Sequence, residues 1–128
     1  KRGFAYQRFS RPNDFRASGS GNFNADPSKI DIRCIKIAMN ISNILGFQTM
    51  TYDFLYNAEK MPQINEISCQ FVDWMVHSCP GYWDENLNWH EGHFWPQYCQ
   101  LQDLLDKSDL IQPEFPEKSK PVLIRIAP

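Results

Sequence analysis

No stretch of this chain is apolar for the roughly eighteen residues that a membrane-spanning helix needs. Its first residues also lack the basic, apolar and small-residue order of a secretory signal. There is no basic block and no acidic tail: 13 Lys and Arg stand against 15 Asp and Glu, a net charge of −2. That balance leaves no electrostatic footprint for nucleic acid or anionic lipid. Internal repeats are absent too. Together these absences predict a cytoplasmic protein with neither nucleic acid nor membrane as partner; self-association stays open. Cysteine is scarce, and Cys34, Cys69, Cys79 and Cys99 are scattered rather than spaced as in a disulfide-stapled mini-protein, so they read as reduced thiols.

What is present is the make-up of a globular protein, 42% hydrophobic and 22% charged over 128 residues, enough for one domain or part of one. The opening KRGFAYQRF has no initiator methionine and is already strand-like, which reads as a cut inside a larger protein. GFAYQRF (3–9) predicts a strand, broken by Pro12, and FRASGSGNFN (15–24) a loop. Asp26-Pro27 supplies an N-cap and an N1 proline for a helix whose apolar residues recur from Ile30 to Leu45, with Gly46 at C′. FQTMTYDFLY (47–56) and QINEISCQFV (63–72) then read as two strands of a hairpin joined by NAEKMP. Residues 73–95 show no clean period and predict an irregular segment with a short helix. QYCQLQDLLD (97–106) predicts a final helix, and the Pro-rich end a connector plus an edge strand at VLIRI. The expected fold class is therefore α+β, an antiparallel sheet packed against helices, with a domain over 1–106 and an extension over 107–128.

The hairpin poses a physical problem. Carboxylates are depleted in strands, yet Asp53 sits in the first strand and Glu66 in the second. A two-residue turn at Glu59-Lys60 sets Asp53 opposite Glu66 and Thr51 opposite Ser68 on one face. Opposed like charges destabilise a sheet, and a divalent cation reverses that sign; Mg²⁺ in particular is held by one or two carboxylates with room left for phosphate oxygens. The plainer resolution is pairing with a lysine or arginine. A turn one residue longer would put the two acids on opposite faces. Upstream, Arg8, Arg11 and Arg16 carry the forked donors that suit phosphate and carboxylate.

The order of YQR (Arg8), DFRASGSG (Arg16, Ser18), a helix, YDF (Asp53) and NEIS (Glu66, Ser68) resembles the C-terminal half of the ATP-grasp fold over about the first 70 residues. The resemblance implies an ATP- and Mg²⁺-dependent ligase that activates a carboxylate as an acyl phosphate for attack by an amine. It implies Asp53, Glu66 and Ser68 as metal ligands, Arg8, Arg16, Ser18 and Asn65 as nucleotide or substrate contacts, and Arg16 as catalytic. Two positions depart from the pattern: Ser68 stands where many members carry a metal-binding Asn, and Asn65 where an apolar residue often walls the adenine. The lysines and lid that grip the nucleotide precede the matching segment in that fold. The implied partner is thus the N-terminal ATP-grasp subdomain of the same parent, without which the chain is expected to be inactive. The segment CPGYWDENLNWHEGHFWPQ is similar to tails of ATP-grasp proteins associated with bacterial surface-sugar pathways.

Two rival readings compete with the ligase. His77, Cys79, His90, His93 and Cys99 fall within a short span and could hold zinc, although no C-x-x-C pair is present and the histidines of HEGH are three apart rather than the four of H-E-x-x-H. The tryptophans between residues 74 and 95 could instead form the sugar-stacking surface of a non-catalytic carbohydrate-binding module.

Overall fold

Asp26 does not cap the long helix. It caps a separate 3-10 turn, Pro27–Lys29, by accepting the Ser28 N–H. Ile30 then returns to extended backbone as it packs on the core. A second aspartate, Asp31, caps the helix itself, α1 (Ile32–Ile44), by accepting the Arg33 N–H. Gly46 at φ +68 ends it as expected.

The computed structural model describes residues 1–13, 21–106 and 111. Over these the chain is an α+β domain of antiparallel strands and three helices. Expectations that rest on Arg16, Ser18 and the extension at 107–128, its edge strand included, lie outside the described residues. The strands are β1 (Arg2–Gly3), β2 (Gln7–Arg8), β3 (Phe23–Asn24), β4 (Thr51–Tyr56), β5 (Pro62–Ser68), β6 (Gly81–Asp84) and β7 (Trp89–Glu91). Two further helices are α2 (Asp73–His77) and α3 (Pro96–Leu105). Three antiparallel units result: β1-β6-β7, β2-β3 and β4-β5.

The expected strand at 3–9 is thus split, because its two ends pair with different partners, β1 with β6 and β2 with β3, while residues 4–6 join neither ladder. Side chains still alternate through the gap. A Cβ on Gly3 would meet Met39 and Ile35 of α1, and Ala5 packs on the same cluster. Phe4 and Tyr6 turn the other way, Phe4 against Tyr82 and Phe94 and Tyr6 against Phe23. The segment expected to be irregular contains the β6–β7 hairpin, with Tyr82 opposite His90 and Trp83 opposite Trp89.

Helix α1 bridges two of the sheets. Ile35 and Met39 are buried against Trp83 of β6, the centre of the core. The adjacent stripe meets the β4–β5 hairpin through polar groups: Ser42 Oγ lies 2.7 Å from Tyr52 Oη, and Tyr56 donates to Asp31 Oδ2 at 3.2 Å. Arg33 forks onto Asp31 and also donates to the Lys60 carbonyl at 3.0 Å. The hairpin is therefore tied to the helix by hydrogen bonds, and the apolar core lies under the other sheet.

Candidate functional site

The hairpin turn differs from the two-residue form, and the difference bears on the site. Asn57 N–H bonds the Met61 carbonyl and Lys60 adopts φ +57, so the loop is Ala58-Glu59-Lys60, one residue longer. That loop pairs Tyr56 with Pro62 and Phe54 with Ile64. Carried onward unchanged, its register would put Asp53 across from Asn65. A β-bulge between Asp53 and Phe54 absorbs one extra residue, Asn65 on β5, and the ladder resumes with Asp53 opposite Glu66 and Thr51 opposite Ser68. The expected juxtaposition holds through two compensating shifts.

Which face these acids occupy follows from β4, the unbulged strand. Tyr52 and Tyr56 reach α1, so Thr51 and Asp53 point to the opposite, open side. Period-two alternation places Arg8 on the same side as Phe4 and Tyr6, and its guanidinium forms an ion pair with Asp53 Oδ2. Each side chain of that pair is 34% exposed. Glu66 is exposed and has no ion-pair partner among the described residues. An arginine thus answers for Asp53 but not for Glu66. Burial, the largest influence on it, raises the Tyr6 pKa, partly offset by Arg8, which keeps a neutral hydroxyl beside the pair.

Arg8, Asp53, Asn65 and Glu66 all border a cleft of about 720 Å³ that runs between residues 1–9 and 48–56 over α1. Ser68 does not line it; its hydroxyl accepts the Gln70 N–H at 3.1 Å, closing the strand's exit. The structure therefore brings together Arg8, Asp53, Asn65 and Glu66 and leaves Ser68 aside. Sequence reasoning overlooked Asp31, Arg33 and Tyr56, which position the hairpin. The Asp-x-Arg spacing of Asp31 and Arg33 was the available signal. That fork, the largest influence on it, lowers the Asp31 pKa to about 2.

The other proposed ligand sets are dispersed. His90 pairs with Asp84 at 2.9 Å and stacks on Tyr82. His77 and His93 lie side by side, with His77 on the Trp95 ring at 4.3 Å. Cys79 is buried and turns its thiol to the carbonyls of Ala5 and Met75, and burial pushes its pKa up to about 11. Among the described residues no three His, Cys, Asp or Glu side chains converge as a metal site. Of the tryptophans, Trp83 is buried and Trp95 covered by His77, which leaves Trp74 and Trp89 exposed. No helix among the described residues is long and apolar enough to cross a membrane.

No protein-family model, curated protein or solved structure matches the chain.

Proposed function

We propose that the open face of Arg8, Asp53 and Glu66 is a phosphate-and-magnesium surface, and that the chain is the C-terminal portion of an ATP-grasp ligase joining a carboxylate to an amine. The observation that carries this is the direct opposition of Asp53 and Glu66. Two carboxylates so placed repel, and Arg8 compensates one of them, Asp53, while Glu66 has no ion-pair partner among the described residues. A half-exposed ion pair is worth about 0–1 kcal/mol, so Asp53 can exchange Arg8 for a divalent cation at little cost.

Two carboxylates suit Mg²⁺, which completes its shell with water and phosphate oxygens rather than with an all-protein cage. In this reading Asp53 and Glu66 hold the ion, with Asn65 beside them, and the ion supplies charge neutralisation to a transferring phosphoryl group. Arg8, released from Asp53, offers its fork to a phosphate or to the acceptor carboxylate. Tyr6 stays protonated and can donate a hydrogen bond on the same face. Apolar side chains left exposed on α3, Leu101, Leu104 and Leu105, fit a chain that packs against a further subdomain.

Titrating Mn²⁺ with ATP into the chain, followed by electron paramagnetic resonance, tests the reading. Saturable binding that is lost in Glu66→Gln and in Asp53→Asn is expected. Binding that survives both substitutions, or none in the native chain, overturns it.

A further inference from the structure

The five residues that spacing offered to zinc do not assemble, but two of them do. His77 ends α2 and His93 lies in the loop before α3, and the fold brings them together across 16 residues. Gly92 places the second of them. It donates to the Pro80 carbonyl at 2.9 Å and adopts φ +138, in the left-handed region that favours glycine, so that the next residue meets the end of α2. There His93 Nδ1 lies 2.9 Å from the His77 carbonyl oxygen. A carbonyl only accepts, so Nδ1 carries the hydrogen, and in the neutral ring the lone pair is left on Nε2. This is how a metal-ligating histidine is prepared: its other N–H is held by a carbonyl or carboxylate, which fixes both the tautomer and the ring plane.

His77 is held by packing instead. Its ring rests on Trp95, with centroids 4.3 Å apart and planes at 31°. Burial, and then the neighbouring His93, lowers its pKa, which favours the neutral, ligating form at neutral pH. The His77 and His93 centroids are 5.7 Å apart with the planes at 30°. Two imidazoles that share one ion at about 2.0–2.1 Å from each nitrogen have centroids roughly 5–6 Å apart at near-tetrahedral angles. The pair thus already stands at ligating separation. His77 is half-buried and His93 exposed, so an ion can reach them from solvent. The plainer role of His93 is to cap α2, whose last carbonyls have no partner within the helix. A cap accounts for one nitrogen of His93 and for nothing about the His77 ring.

We propose that His77 and His93 form a two-histidine site for a borderline divalent ion such as Zn²⁺, bound through Nε2 of His93 and a ring nitrogen of His77. Two protein ligands fall short of the four of a structural zinc site, so water or an incoming ligand takes the remaining positions and the ion is exchangeable. Imidazole suits Zn²⁺ whereas Mg²⁺ prefers oxygen; this site and the face at Asp53 and Glu66 therefore select different ions. Bound, the ion would join α2 to the loop that leads into α3 and stabilise the folded chain. The proposal is independent of the ligase reading.

Long-range proton–nitrogen NMR of the histidine rings, recorded on the native chain during titration with zinc chloride, tests it. His93 Nε2 and one ring nitrogen of His77 are expected to shift together and to saturate at one equivalent of Zn²⁺, with His90 unmoved. His93→Gln keeps an N–H for the His77 carbonyl, and His77→Phe keeps a ring on Trp95. Each should nevertheless weaken zinc binding about tenfold or more by calorimetry, while Glu66→Gln should leave it unchanged. No shift at millimolar Zn²⁺, separate saturation of the two rings, or a response at His90 instead overturns the proposal. So does zinc affinity that survives both histidine substitutions, or that is lost with Glu66, which would place the ion at the hairpin carboxylates.

Discussion

At Gly81 a single methyl group decides whether the β6–β7 ladder forms. A Cβ there would run into the His90 carbonyl and the Trp89 ring, the first of which is backbone and cannot rotate aside. Gly81→Ala is expected to destabilise the fold by about 1–3 kcal/mol, measured by urea denaturation followed through tryptophan fluorescence. Native-like stability would mean that the hairpin pairs differently. This hairpin was not legible in the sequence, for reasons found at individual residues. Its strands are too short to show a period, and Leu87, an apolar residue, takes the left-handed φ of +63 at the turn. Asp84 fastens that turn by accepting from the Asn86 and Asn88 amides and from His90, with His90 the leading cause of its lowered pKa. The histidine that suggested a metal motif therefore serves a loop.

Elements were easier to read than their ends. α1 was legible because apolar spacing and Gly46 agree, but its start was displaced to Asp31 once the core claimed Ile30. The hairpin was legible as two strands, whereas its loop and its bulge were not: an extra loop residue and an extra strand residue cancel, and no local signal announces either. The opposition of Asp53 and Glu66 was thus expected from a turn that does not occur, and it persists because Asn65 restores the register. The loop offers a direct test. Lys60 sits at φ +57, where a side chain costs about 1–2 kcal/mol and glycine costs little. Its side chain takes no part in the bonds that hold the loop, which use the backbone N–H to Asn57 and the carbonyl to Arg33. Lys60→Gly should therefore raise stability by about 0.5–1 kcal/mol after glycine's added chain entropy is deducted, read as a higher urea midpoint at unchanged slope. A lower midpoint would refute the three-residue loop.

Across the whole molecule, α1 holds two sheets by two kinds of force. Against β1 and β6 it buries Ile35 and Met39 with Trp83, an apolar contact that pH does not touch. Against the β4–β5 hairpin it relies on Asp31, which receives Arg33 and Tyr56, and on Ser42 with Tyr52. The Asp31 pKa is lowered from its ordinary 3.8 to about 2, with the Arg33 fork the largest cause. For a carboxyl held low in the folded state, the unfolded chain binds the proton first, so stability rises with pH between the two values. The Asp31 contribution is therefore complete above about pH 4 and is lost as pH falls toward 2. Because its partners are largely solvated the energy is modest, yet it is concentrated at the joint between helix and hairpin. Acidification through that window should expose the amides of β4 and β5 to exchange before those at the centre of α1, and the β6–β7 turn, fastened by Asp84 with its own lowered pKa, weakens over the same range. Asp31→Asn keeps a capping oxygen but loses the charge, and should show the weakened hairpin already at neutral pH with little further change on acidification. Loss of β4 and β5 protection at the same pH in native and variant chains would show that the hairpin is held by something other than this carboxylate.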